Sequence, residues 1–523
     1  MKPWRALAKP VRYAALAAGA LPVLAFPAAN LEFLAWFGLV PGLLLMHRSP
    51  TAREAAIRGW WFGAGYLLAA LYWLAPNIGP GLLLVAVAFG AAWGGVAAAC
   101  WSLLRPPVTA VRALAALVVV PSYWLVIEWI RSWQGFGGPW AVLGVSQWQH
   151  PAVLALAALG GVWLVSFALV AVNTGILILL IAGRTAARLM AAAVSGIVIA
   201  AGPVAFALTA AAPSVRSVTV ALVQPGIVSN PVVRVDASQR LSAGIGPGSA
   251  DLIVWGESSV AFYLQRDQSL LARIRALAAA EGAQVLVDQD SVQGQDKSKV
   301  AVLVGPGGIA GTYTKTRLVP FGEYIPFRQQ LGWLTKISKA APANMVPGTG
   351  ARVLHAALRG GQSLPIGVLI CFESAFPDMA RADADLGAQL LIYQTSDPTF
   401  QHSWALAQHA SLAALRAAET GRPAVQAALT GDTAAYDARG RLLTWLGPSD
   451  RGVALVRLGL PAASARTPYD RLGDYVPWTS VGIAALAALA AAWKRRKTSL
   501  VNAGIGGVGE AQYDAEPGQR MHR

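Results

Sequence analysis

Three stretches of this 523-residue chain run from apolar residues straight into groups that can move protons or attack a carbonyl. Leu252–Ser259 reads LIVWGESS and carries Glu257. Tyr313–Pro326 reads YTKTRLVPFGEYIP and carries Lys315 and Glu323. Leu364–Phe376 reads LPIGVLICFESAF and carries Cys371, with Glu373 two residues on. A thiol, a carboxylate able to take its proton and a cation able to hold an oxyanion are the set that acyl transfer through a thioester requires. Taken singly, each has a plainer use: Glu257 as a cap, Lys315 as a solvated hairpin residue, Cys371 as a core cysteine. Their joint presence favours chemistry.

Such groups need rigid elements behind them. A buried strand that stops on Cys371 and turns at once makes a nucleophile elbow, which lifts the sulfur out of the sheet and aims the Phe372 N–H at the same spot. Strand signals at 218–223, 251–255, 285–287, 300–304, 311–314, 389–393, 424–429 and 452–456 alternate with helix signals at 270–281 and 403–419. This predicts an α/β layered domain over 214–470. Within it, 327–346, with Trp333, Leu334 and Met345, reads either as a packed loop or as a lipid-dipping arm. His402 and His409 lie seven apart on a predicted helix and read as structural, with no third ligand evident nearby. The GPGG at 305–308 is a hairpin turn, and no phosphate loop or dinucleotide fingerprint is present.

Hydrophobic residues make up 55% of the chain and charged residues 13%. Mean hydropathy is +0.49, which places the chain among membrane proteins. Seven apolar spans are expected in a membrane domain over 1–213: about 13–31, 28–46, two within 59–104 separated by the Pro76–Gly81 break, 113–130 with Glu128 near its end, 151–182 and 189–212. An eighth, 475–493, follows the α/β domain, and 494–523 reads as a basic, disordered tail. With the N-terminus inside, segments 1–12, 47–58, 105–112, 183–188 and 494 onward all face the cytoplasm and all are basic. The α/β domain then lies outside. This asymmetry accounts for much of the net charge of +16 without nucleic acid as a partner. Cys100 sits in an apolar run and Cys371 in the exported domain, so an intramolecular disulfide is not expected. The outer segment 132–150 (SWQGFGGPWAVLGVSQWQH) reads as an interfacial aromatic belt or as a ledge beneath the exported domain.

The order Glu, Lys, Cys, each in its own motif, resembles the carbon–nitrogen hydrolase (nitrilase) superfamily. With membrane spans on both sides, the chain is similar to the apolipoprotein N-acyltransferase family over nearly its whole length. VPFGEYIP is the most specific stretch, and Arg416–Pro423 (RAAETGRP) also fits. The resemblance implies an exported nitrilase-like αββα sandwich on a helical membrane domain of about eight spans. It makes Glu257 the general base, Lys315 the oxyanion stabiliser and Cys371 the nucleophile, with Glu323 and Glu373 in support; the supporting Phe372 N–H comes from the elbow geometry alone. It further implies a phospholipid acyl donor, a diacylglyceryl-modified apolipoprotein acceptor, no cofactor or metal, and a monomer in the cell membrane. Two departures stand out: Gly256 where the family has proline before the base, and Ser396-Asp397-Pro398-Thr399-Phe400 where it has Asn-Asp-x-Trp-Phe. A tethered amidase or nitrilase that passes its acyl group to water would need the same three residues, whereas a non-catalytic scaffold would need none.

Overall fold

The structure, a computed structural model, describes residues 10–209, 212–293, 296–336, 341–400 and 402–505. Each expected apolar stretch forms helix: α1 (Pro10–Ala25), α2 (Glu32–His47), α3 (Ala52–Ala70), α4 (Gly81–Leu103), α5 (Ala110–Arg131), α6 (Pro151–Ile181) and α7 (Thr185–Leu208). Among the described residues, α4 to α7 and the final segment Tyr475–Lys494 are long and apolar enough to cross a membrane, five in all. α1 and α2 are shorter apolar helices, and α3 opens with Arg53, Glu54 and Arg58. Thr51 caps α3 and Thr109 caps α5, each side chain accepting the N–H three residues on. The expected break after Ala75 is a short turn closed by Gly79 at φ +52°. Arg12, expected as a flanking charge, is instead buried against Glu54 at 2.7 Å, with Arg58 on the same carboxylate.

The α/β domain is built from two six-stranded sheets packed face to face. One runs β12-β1-β2-β3-β4-β5, and the other β11-β10-β9-β8-β7-β6. The strands are β1 (Ser214–Gln224), β2 (Leu252–Trp255), β3 (Gln284–Gln293), β4 (Asp296–Gly305), β5 (Gly308–Thr314) and β6 (Val353–Ala357). They continue with β7 (Ser363–Ile370), β8 (Leu390–Thr395), β9 (Ala424–Ala428), β10 (Thr433–Tyr436), β11 (Leu442–Leu446) and β12 (Gly452–Pro461). The central triplets β1-β2-β3 and β7-β8-β9 are parallel, with antiparallel partners outside them. Buried on both faces, the parallel strands read as unbroken apolar runs such as LIVW and VLI. Helices α8 (Pro231–Ala243), α9 (Gln268–Glu281), α10 (Pro377–Asp385) and α11 (Ala405–Thr420) accompany the sheets, and α12 (Tyr475–Ile505) returns to the membrane domain. α12 continues twelve residues past Trp493, so 494–505 of the expected tail is helical; 506–523 lie outside the described residues.

The two bodies are tied by buried polar bonds. Gly160 and Gly161 break α6, Gly161 at φ +71°, and free the Val162 N–H from its helical acceptor. Glu419 on α11 receives it at 2.8 Å. Trp163 and Trp129 both donate to Asp474, just ahead of α12. Segment 132–150 is a ledge against the α/β domain: Gly138 packs on Phe372 and Phe376, and Trp140 meets His409 edge-on. Glu128 accepts the Leu143 N–H, Arg131 donates to the Trp140 carbonyl and Tyr66 to that of Ala141.

Candidate active site

The parallel strands deliver Glu257 and Cys371 at their carboxyl ends, as open α/β sheets do with functional groups. β2 ends at Trp255 and β7 at Ile370, so Glu257 comes from one sheet and Cys371 from the other. The sheets meet there through backbone: the Glu257 N–H donates to the Thr395 carbonyl at 3.2 Å, and so does the Leu429 N–H at 2.8 Å. A Cβ on Gly256 would sit 2.1 Å from the Leu429 nitrogen, which explains glycine at this departure from the family pattern.

Lys315, immediately after β5, is fully buried. Its Nζ lies 2.7 Å from Glu323 Oε1 and 3.4 Å from Glu257 Oε1. Glu323 Oε2 accepts the Val319 N–H at 2.9 Å, so the VPFGEYIP loop fixes the lysine from both ends. Burial works against the ammonium, but Glu323 and Glu257 outweigh it and hold Lys315 well above the usual lysine range. Cys371 stands at φ +52°, the strained left-handed conformation of an elbow, and is half-buried. Burial first, and the Glu257 charge second, push its thiol well above the usual range, with Lys315 opposing. The resting sulfur is therefore a thiol.

Glu373 does not reach the reacting groups. Its Oε1 accepts from the Thr316 and Arg317 N–H groups and the Tyr313 hydroxyl, and its Oε2 from the Ile370 N–H. It clamps the Lys315 segment to the elbow. Phe372 is buried edge-on against Phe376 with centroids 4.8 Å apart, and the ledge covers both rings at Gly138. Phe327 and Trp333 on the 327–346 segment are exposed, as a lipid-facing arm requires; Leu334 and 337–340 carry no described side chains.

His409 needs correction: it has near neighbours. Its Nδ1 lies 2.9 Å from Asp397 Oδ2 and its Nε2 3.0 Å from the Cys371 carbonyl oxygen. Both partners can accept, an arrangement that suits an imidazolium pinning the elbow. Its pKa is raised, burial opposing and Asp397 prevailing. Ligand atoms of Cys371, Asp397 and His409 lie within 4.8 Å of one another, a spacing a metal could use, but both ring nitrogens are engaged. His402 is exposed. Asp397 and His409 were hidden in sequence because they become neighbours only once β8 and α11 pack. A folded pKa above the ordinary 6.5 gives stability that is complete below about pH 6.5 and fades as pH rises through the folded value. The thermal stability difference between wild type and His409→Gln in detergent should shrink between pH 6 and pH 9. A constant difference would exclude the imidazolium.

Residues 18–175 match the apolipoprotein N-acyltransferase N-terminal domain, and residues 219–466 match carbon-nitrogen hydrolase. The apolipoprotein N-acyltransferase of Geobacter metallireducens is 31% identical, over 91% of this chain and 94% of the relative. That of Azotobacter vinelandii is 30% identical over 95% and 97%, and that of Rhizobium meliloti 33% identical over 83% and 87%.

Proposed function

The chain belongs to the apolipoprotein N-acyltransferase family, a family of membrane enzymes, and from that premise we propose that it moves an acyl chain from a phospholipid to the α-amino group of the N-terminal diacylglyceryl-cysteine of lipoproteins, through a thioester on Cys371. The observation that carries this reading is the buried Lys315 in contact with both Glu257 and Glu323, beside a strained cysteine whose thiol is held protonated. Glu257 takes the thiol proton, and sulfur attacks the ester carbonyl. Lys315 and the Phe372 N–H hold the oxyanion. The C–O bond breaks as Glu257 returns the proton to the leaving lysophospholipid. In the second half the acceptor amine attacks the thioester, Glu257 takes its proton, and Cys371 leaves as the thiol. The ledge and the apolar 327–346 arm suit two lipid-bound substrates. The basic flanks support an exported catalytic domain, about eight spans and a cytoplasmic tail.

Intact-mass measurement of purified protein with phospholipid tests the reading. An acyl adduct on Cys371 should form, survive in buffer, and pass to a diacylglyceryl lipopeptide. An adduct that discharges to water as fast as to the peptide would make the enzyme a hydrolase. In intact cells a membrane-impermeant thiol reagent should label Cys371; labelling only after lysis would reverse the orientation.

A further inference from the structure

Glu257 is held by a second lysine. Lys299, on β4, places its Nζ 3.4 Å from Glu257 Oε1, 2.8 Å from Asp290 Oδ1 and 2.5 Å from Ser258 Oγ. Its side chain is mostly buried, at 12% exposure. β4 pairs Lys299 opposite Asp290 of β3, and the Lys315 N–H donates to the Lys299 carbonyl, so the two lysines approach the carboxylate from adjacent strands. We infer that Lys299 is a positioning residue: it holds the Glu257 carboxylate in place while Lys315 turns to the oxyanion. This rests on Glu257 being the base.

The division of labour follows from the distances. Lys315 is shared, and its shorter bond is to Glu323. An ammonium drawn onto a developing oxyanion leaves Glu257 with weaker support when its protonation must be controlled. Lys299 is anchored by Asp290 and the Ser258 hydroxyl and has no such second duty. The other groups facing Glu257 are Cys371 at the elbow, Asp288 on β3 and His409 on α11. Burial pushes Asp288 up to about 8, so at neutral pH it is protonated, and Asp290 and Glu257 are the carboxylates that compete for Lys299. Burial opposes the Lys299 charge, but Glu257 and Asp290 outweigh it and raise its pKa. The ammonium persists across the working range.

The test is the pH profile of single-turnover Cys371 acylation by phospholipid vesicles in the full-length enzyme. An opposite charge at this range shifts a carboxylate by one unit or more. Lys299→Met and Lys299→Gln should therefore move the acid limb up by about one pH unit, a loss of about tenfold on that limb. Lys299→Arg should restore it. Asp290→Asn leaves both ammoniums and removes a competing carboxylate, so the limb should move down, a sign readable even if the Lys299 variants fail to fold. Unmoved limbs in these variants, with only lower thermal stability, would overturn the inference. Glu257→Gln run alongside separates the two failures: if it acylates normally, the base assignment falls. If it is slow while Lys299→Met has a wild-type profile, only the role of Lys299 falls.

Discussion

Cys371→Ala should form no acyl adduct at any pH or phospholipid concentration, while the domain stays folded. Cys100, the other thiol, is buried in the helical bundle against the Leu43 carbonyl and cannot substitute. Alanine keeps the backbone of the elbow, so the strain at φ +52° is unchanged and no core volume is lost. Cys371→Ser should be nearly as inert. The native thiol is already pushed up by burial and by Glu257, and a hydroxyl starts from far weaker acidity, so Glu257 has too little driving force to deprotonate it. Intact-mass analysis after prolonged incubation with phospholipid is the measurement. An adduct on Cys371→Ala that maps to another side chain would end the assignment of Cys371 as nucleophile.

Glu257→Gln should slow both halves of the transfer. In the proposed transfer the carboxylate accepts the thiol proton, returns it to the departing lysophospholipid and accepts another from the amine, and glutamine keeps the shape without the proton. General acid–base help is worth roughly 100- to 10,000-fold, so adduct formation and its discharge to lipopeptide should each fall by that order in single-turnover kinetics. The neighbouring carboxylates offer no rescue. Glu373 is occupied by four donors, and Glu323 is committed to Lys315 and the Val319 N–H. Wild-type rates in the folded variant would leave Glu257 as a cap and remove it from the mechanism.

The groups at strand ends were the legible ones. Glu257 and Cys371 each follow an apolar run within a few residues, and Lys315 comes directly after a strand signal, so period and punctuation locate them. Lys299 and His409 carry no such mark. Lys299 opens a strand like many solvated lysines, and only its register opposite Asp290 turns it toward Glu257. β10 and β6 escaped notice because TAAY and VLHAA have weak strand character and gain their place from sheet neighbours. α8 was missed for the opposite reason: its β-branched PVVRV obscures a helix that Asn230 nonetheless caps. The choice between belt and ledge for 132–150 turned on contacts with residues more than two hundred positions away.

That ledge bears on how such a protein could be recombined. Gly138 lies against Phe372 and Phe376 so closely that a Cβ would come 2.9 Å from the Phe372 ring, Trp140 meets His409 edge-on, and Gln134 donates to the Leu318 carbonyl. The support beneath the elbow is therefore encoded more than two hundred residues upstream of Cys371. A chimera joined at residue 213, with the α/β domain of one relative on the membrane helices of another, would bring mismatched surfaces together beneath the elbow. Functional exchange would have to carry 132–150 along with the catalytic domain, making the heritable unit discontinuous in sequence.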